Sequence, residues 1–243
     1  MRPFPWLSLL CVLALCTPLS AQDSPHWPSQ ALEFRGGGFF PAGDSDFWSE
    51  TEEVFTTDSA DFEDFVFGLT LLTAVNNHVE VGFDVDWYGE RVGSAYRGFE
   101  DSAGFPIVHD TSLEIVPMMV GLRILPGGRH VASRSPGLHP RRKPVVYLGG
   151  GLGANYWSYE EVGDFIDFSL DPPEIFYDRF QDDGFAFAVQ ALAGIEVPLG
   201  PTWNALFEGR YTWSSTELSG DFAGLGTLDL SGMALYAGVA VRF

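Results

Sequence analysis

The final segment, Met233–Phe243, constrains this chain more than any other. Every second residue, Met233, Leu235, Ala237, Val239, Val241 and Phe243, is apolar, and Ala234, Tyr236, Gly238, Ala240 and Arg242 lie between them. Successive strand residues point to opposite faces, so this alternation predicts a strand with one apolar face running to the last residue. Terminal residues fray unless a sheet holds them. The segment is therefore expected to be either the closing strand of a barrel or the last strand of a sandwich.

The same period recurs upstream. Val79, Val81, Phe83, Val85 and Trp87 face one way, against Glu80, Gly82, Asp84, Asp86 and Tyr88. Phe65, Phe67, Leu69 and Leu71 alternate with Val66, Gly68 and Thr70, and Asn76-Asn77 supplies a hairpin turn. Further strands are expected at about 32–40, 114–124, 145–157, 185–197, 203–212 and 228–243, giving eight, with ten as the alternative count. Pro198-Leu199-Gly200-Pro201 makes a tight turn, and no amphipathic helix of useful length is apparent.

The N-terminus has the form of an export signal. Arg2 precedes an apolar stretch, Trp6–Cys16, too short to span a bilayer, and Ala21 offers a small residue at the cut. Cleavage there leaves a short N-terminal segment, 22–31, and one domain, 32–243. Both cysteines, Cys11 and Cys16, leave with the signal, so no disulfide or thiol metal site is expected. Without Arg2 the chain carries 12 of its 13 basic residues against 33 acidic ones, which excludes a nucleic-acid partner. The acids concentrate in 44–64 and 160–183, stretches expected to be solvated loops.

Connection length alternates as well. The segments 41–60, 89–112, 158–184 and 213–227 are long and polar, whereas 73–78 and 198–202 are short. Aromatics sit beside the long segments (Phe39/Phe40, Trp87/Tyr88, Tyr156/Trp157, Tyr211/Trp213), and Trp203 and Phe243 at the opposite ends. Long loops at one rim, short turns at the other and an aromatic girdle at each describe an outer-membrane barrel.

Phe34-Arg-Gly-Gly-Gly-Phe-Phe40, Pro117-Met-Met-Val-Gly-Leu-Arg123, Tyr147-Leu-Gly-Gly-Gly-Leu-Gly153, Ala193-Gly-Ile-Glu196, Glu208-Gly-Arg-Tyr211 and the terminal Phe243 carry a resemblance. Across 32–243 the chain resembles small bacterial outer-membrane β-barrel proteins, the OmpA/OmpX-like porin-fold superfamily. The resemblance implies an all-β fold: a closed antiparallel transmembrane β-barrel, an up-and-down meander of eight strands, in the outer membrane of a Gram-negative envelope. It implies contact with outer-membrane lipid and lipopolysaccharide, and reading of Phe243 by the barrel-insertion machinery. It implies no catalytic residue and no cofactor.

Eight strands leave a lumen just wide enough for side chains to fill. Glu33, Arg35, Glu80, Asp84, Arg123, Gln190, Glu196, Glu208, Arg210 and Arg242 fall on the face opposite the apolar one. They are expected to form a structural polar interior, because a buried charge is costly unless paired. Glu80 with Arg123, and Glu33 with Arg242, are the expected cross-strand pairs. A narrow small-solute or ion channel is the alternative, and a soluble periplasmic ligand-binding barrel a weaker one. An enzyme is not expected. His78, His130 and His139 lie toward the short-turn end, His26 precedes the barrel, and His109 reads as a solvated loop residue. The acidic runs lack the spacing of a calcium loop, and no metal site is expected. Gly36–Gly38 and Gly149–Gly151 read as close backbone approach, not phosphate loops. The turn 126–144 is rich in cations (Arg129, Arg134, Arg141, Arg142, Lys143) and could touch an anionic envelope polymer.

Overall fold

The computed structural model describes residues 29–129 and 143–243. The expected signal 1–21, His26, and the turn residues His130, Arg134, His139, Arg141 and Arg142 lie outside them. Strands run β1 Gln30–Pro41, β2 Asp64–Asn76, β3 Val79–Glu100, β4 Pro106–Ile124, β5 Val145–Asp167, β6 Glu174–Pro198, β7 Trp203–Glu217, a short β8 Thr227–Asp229 and β9 Gly232–Arg242. Each consecutive pair from β1 to β7 is antiparallel; β7 then pairs with β9, and β9 returns to β1. Hydrogen bonds thus ring through eight strands, with β8 attached only to the top of β7. Closure leaves no unpaired edge where the strands meet lipid.

The period-two pattern sorts the side chains as the sequence requires. Leu69, Phe83, Val120, Leu148, Phe187 and Leu235 are exposed on the outer surface, forming the apolar belt. In three of the aromatic pairs, Phe40, Trp87 and Tyr156 look outward, while Phe39, Tyr88 and Trp157 turn into the lumen; Tyr211 and Trp213, two residues apart, share the outward side. Gly68 makes room inside: a Cβ there would stand 1.6 Å from Asp86 Oδ1. Gly149 and Gly151 lie where a Cβ would come within 2.5 and 2.8 Å of the β4 carbonyls of Leu122 and Val120.

Two stretches differ from expectation. The segments 89–112 and 158–184 are not loops: β3–β4 and β5–β6 continue through them as long hairpins. Pairing of β2 with β3 stops at Val66–Tyr88, and pairing of β6 with β7 begins at Ala188–Ser214, so these four strands rise alone above the rim. Their acidic residues weaken β-propensity, but backbone pairing across a hairpin already in register overrides it.

The acidic stretch 44–64 is also more than a solvated loop. It contains a helix, α1 Asp46–Val54, and a 3₁₀ turn, Ser59–Phe62. Ser45 caps α1 by accepting from the Trp48 N–H, and Asp58 caps the turn by accepting from Ala60 and Asp61. Asp46, Glu50 and Glu53 stay in water while Phe47, Trp48, Thr51 and Phe62 dip into the barrel mouth. Trp48 lies 5.3 Å from Phe62, Phe47 5.3 Å from Tyr159, and Tyr159 5.2 Å from Phe222 of the last loop. The Trp48 indole N–H donates to the Asp229 carbonyl at 3.2 Å. Burying each such ring is worth about 1.5–3 kcal/mol, so the external half of the lumen is closed by an aromatic plug.

Candidate functional site: the charged lumen

Below the plug, inward positions of the barrel strands carry charge. Glu33, Arg35, Glu80, Asp84, Arg123, Gln190, Glu196, Glu208, Arg210 and Arg242 are all buried, and they meet in one lumen. Asp86, Thr70, Asn204 and Arg129, outside the expected set, complete the cluster. Asp86, Thr70 and Asn204 share the strand parity of the others and could have been found by it; Arg129 comes from a turn, where parity says nothing.

The network is layered. Nearest the short turns, Arg129 donates to Glu80 through Nε and Nη2 at 2.8 Å and to Glu196 at 2.7 Å. Arg242 holds Glu196 through Nε and Nη2 at 2.7 Å and reaches Glu80 at 3.1 Å, and the Asn204 amide donates to Glu196 at 2.6 Å. In the next layer Arg123 clamps both oxygens of Glu33 at 2.8 Å and touches Glu208 at 2.9 Å. Its guanidinium lies 4.4 Å over the Tyr147 ring. Higher still, Arg35 binds Asp86 at 2.7 Å and Asp84 at 3.2 Å, and also donates to Thr70. Arg210 bridges Glu208, Asp84, Asp86 and the Gln190 carbonyl oxygen at 2.7–3.3 Å. Planar guanidiniums suit this work because each offers five donors in a fixed fork.

The partners differ from those expected across adjacent strands. Glu80 and Arg123 are direct register neighbours, yet they do not pair. Arg123 crosses the lumen to β1 and β7, Glu80 is taken by Arg129 and Arg242, and Arg242 does not take Glu33. In so narrow a barrel the axis is as close to a long side chain as its neighbour on the wall. Arg129 is likewise not a free cation of the basic turn: it is 8% exposed and committed to the interior. Lys143, half-buried, donates to the Gly127 carbonyl.

Between the network and the plug lies a cavity of about 20 Å³, bordered by Asp86, Tyr88, Asn155, Arg210 and Tyr236. That is room for about one water. Asn155 is fully buried, and neither of its amide atoms has a protein partner among the described residues. The arrangement can hold charges in place and exclude solvent.

His109, expected in solvent, is instead 3% exposed on the inner face of the external β3–β6 wall. Phe55, Phe165 and Tyr96 enclose its ring at 4.5, 5.2 and 6.1 Å. Burial pushes its pKa down to about 4, Asp110 opposing in part. Neither ring nitrogen has a partner among the described residues. No group of three or more metal-ligating side chains occurs among the described residues.

The family model described as outer membrane protein beta-barrel domain matches residues 7–243. Neisserial surface protein A is similar in structure, at 13% identity over 88% of this chain and 96% of that one, with a TM-score of 0.45. OprG from Pseudomonas aeruginosa shows 15% identity over 91% and 99%, again with a TM-score of 0.45. The N-terminal barrel domain of OprF from the same organism shows 10% identity over 88% and 98%, at 0.41. No curated protein matches the chain.

Proposed function

The chain belongs to the outer membrane protein beta-barrel domain family, and on that premise we propose that it is a closed, non-conducting barrel with a structural or surface-interaction role. Residence in the outer membrane brings its apolar belt against lipid and lipopolysaccharide. The observation that carries the proposal is the filling of the lumen. Six carboxylates, Glu33, Glu80, Asp84, Asp86, Glu196 and Glu208, engage five arginines, Arg35, Arg123, Arg129, Arg210 and Arg242, beneath an aromatic plug. Guanidiniums that each hold two or more carboxylate or amide oxygens favour a shape-keeping interior over a permeation path. Planar-bilayer recording tests this. The purified barrel should give no discrete conductance steps, and steady openings would establish the alternative, a narrow solute or ion channel.

In this reading residues 1–21 direct export and are removed. Phe243, exposed and tied to Gln30 by two backbone hydrogen bonds, is the contact for the insertion machinery. No catalytic step belongs to the proposal, since the aromatic cage around His109 leaves its ring no route to a substrate. Contact of the basic turn with an envelope polymer would fall to Lys143 and the cations beyond Arg129.

A further inference from the structure

The β3–β6 wall extends far beyond the membrane belt. From Tyr156 of the girdle to Asp167, β5 climbs for about 36 Å at roughly 3.3 Å per residue. Its top is apolar where water would be expected. Phe105 is 66% exposed and Tyr177 71%, and Phe99, Phe168 and Leu170 are exposed with them. Phe99 and Phe168 meet at 5.2 Å, and Tyr96 packs against both at 6.3 and 6.4 Å, joining the two hairpin tips into one crest. Apolar surface gathered outside the lipid belt marks an interaction site.

Charge decides what can cover it. Glu100, Asp101, Asp167, Asp171, Glu174 and Asp178 lie beside the aromatics along the two hairpin tips, all exposed or half-exposed. Of the cations near them among the described residues, Arg179 pairs with Glu160, and exposed Arg97, whose Nε donates to the Glu52 carbonyl, is a lone positive charge among these acids. Such a rim repels anionic lipid, sulfated polysaccharide, nucleic acid and a second copy of the same crest. It suits a chain whose Lys or Arg meet the carboxylates while apolar residues cover Phe105, Phe168 and Tyr177.

We propose that this crest is a docking surface for a cationic polypeptide with apolar residues between its charges, the partner of the surface-interaction role above, on which this inference rests. The probe is a short peptide alternating Lys and Val, added to the full-length barrel in phosphatidylcholine nanodiscs, with empty nanodiscs subtracted. Binding should weaken as salt rises, and should fall at least about tenfold in the Phe105→Ser/Phe168→Ser/Tyr177→Ser variant, which keeps every charge. A Ser-for-Lys version of the peptide should bind less tightly than the probe. Equal binding of the probe to the variant would overturn the proposal, because loose attraction to acids would then suffice. Absence of peptide binding, or attachment of the crest to empty zwitterionic vesicles, would overturn it too. Bilayer conductance is read separately: a barrel that conducts yet binds the peptide refutes only the closed-lumen reading.

Discussion

Among the described residues Glu33 has a single ion-pair partner, Arg123, which meets both of its oxygens. Glu208 keeps Arg210 when Arg123 is lost, but Glu33 keeps no direct ion pair, only the more distant attraction of Arg242. Removing one member of a buried pair strands the other, so Arg123→Ala should lower the stability of the folded barrel in vesicles by about 3–5 kcal/mol. Adding Glu33→Ala should restore part of that loss in urea titrations, whereas adding Glu80→Ala should not, because Arg129 and Arg242 would then lose a partner. Strictly additive losses for Arg123 and Glu33 would refute this pairing. His109 carries a second expectation. Its folded pKa, about 4, lies below its unfolded value of 6.5, so the unfolded hairpins bind the extra proton between those values. Its contribution is complete above pH 6.5 and disappears as pH falls toward 4. Asp110 and Glu161 are the nearby carboxyls; burial raises Glu161, a hydrogen bond from the Tyr159 hydroxyl opposing it. Amide exchange in β3 and β4 should therefore speed up from pH 7 to 4.5 beyond its intrinsic pH dependence. The His109→Phe variant should not show that excess.

At the level of elements, α1 and the strand extensions are where local rules and the folded chain part company. Phe47, Trp48 and Thr51 lie on one side of a short helix whose other residues are mostly charged or polar. Nine residues are too few to form a stable helix alone. The barrel mouth supplies the missing apolar surface, so the helix exists because the barrel does. Trp48→Ala should cost about 3–5 kcal/mol of the plug's packing and expose 44–62 to protease, while conductance stays absent because the arginine layers below remain. Cleavage no faster than in the parent would show that α1 does not depend on Trp48. The extensions of β3–β6 escape period-two reading for a related reason. Above the rim one face is still buried, but it takes His109, Thr111 and Glu161 beside Ile107 and Tyr159 while Val108 faces out, so hydropathy no longer marks the side.

For the whole molecule, a closed ring of eight paired strands leaves no edge from which lipid-exposed unfolding can start. The unheated protein should therefore keep its compact form in dodecyl sulfate and migrate faster than the boiled chain; a single mobility would contradict closure. Much of this architecture is written locally. Alternation at Val79–Tyr88 and Met233–Phe243 dictates which side chains face lipid, and the short turns dictate which strands are neighbours, because side-chain parity and turn length need no distant partner. The same parity puts Glu33, Arg35, Glu80, Asp84 and Arg123 on one face. Which carboxylate each arginine meets was decided only when the ring closed. Closure brought β1, β4 and β7 to within one side-chain length of a common axis, and it drew Arg129 from a turn into the lumen. It also made a mouth that Trp48 could fill. Contacts across a barrel join residues far apart in the chain, and no local period encodes their distance.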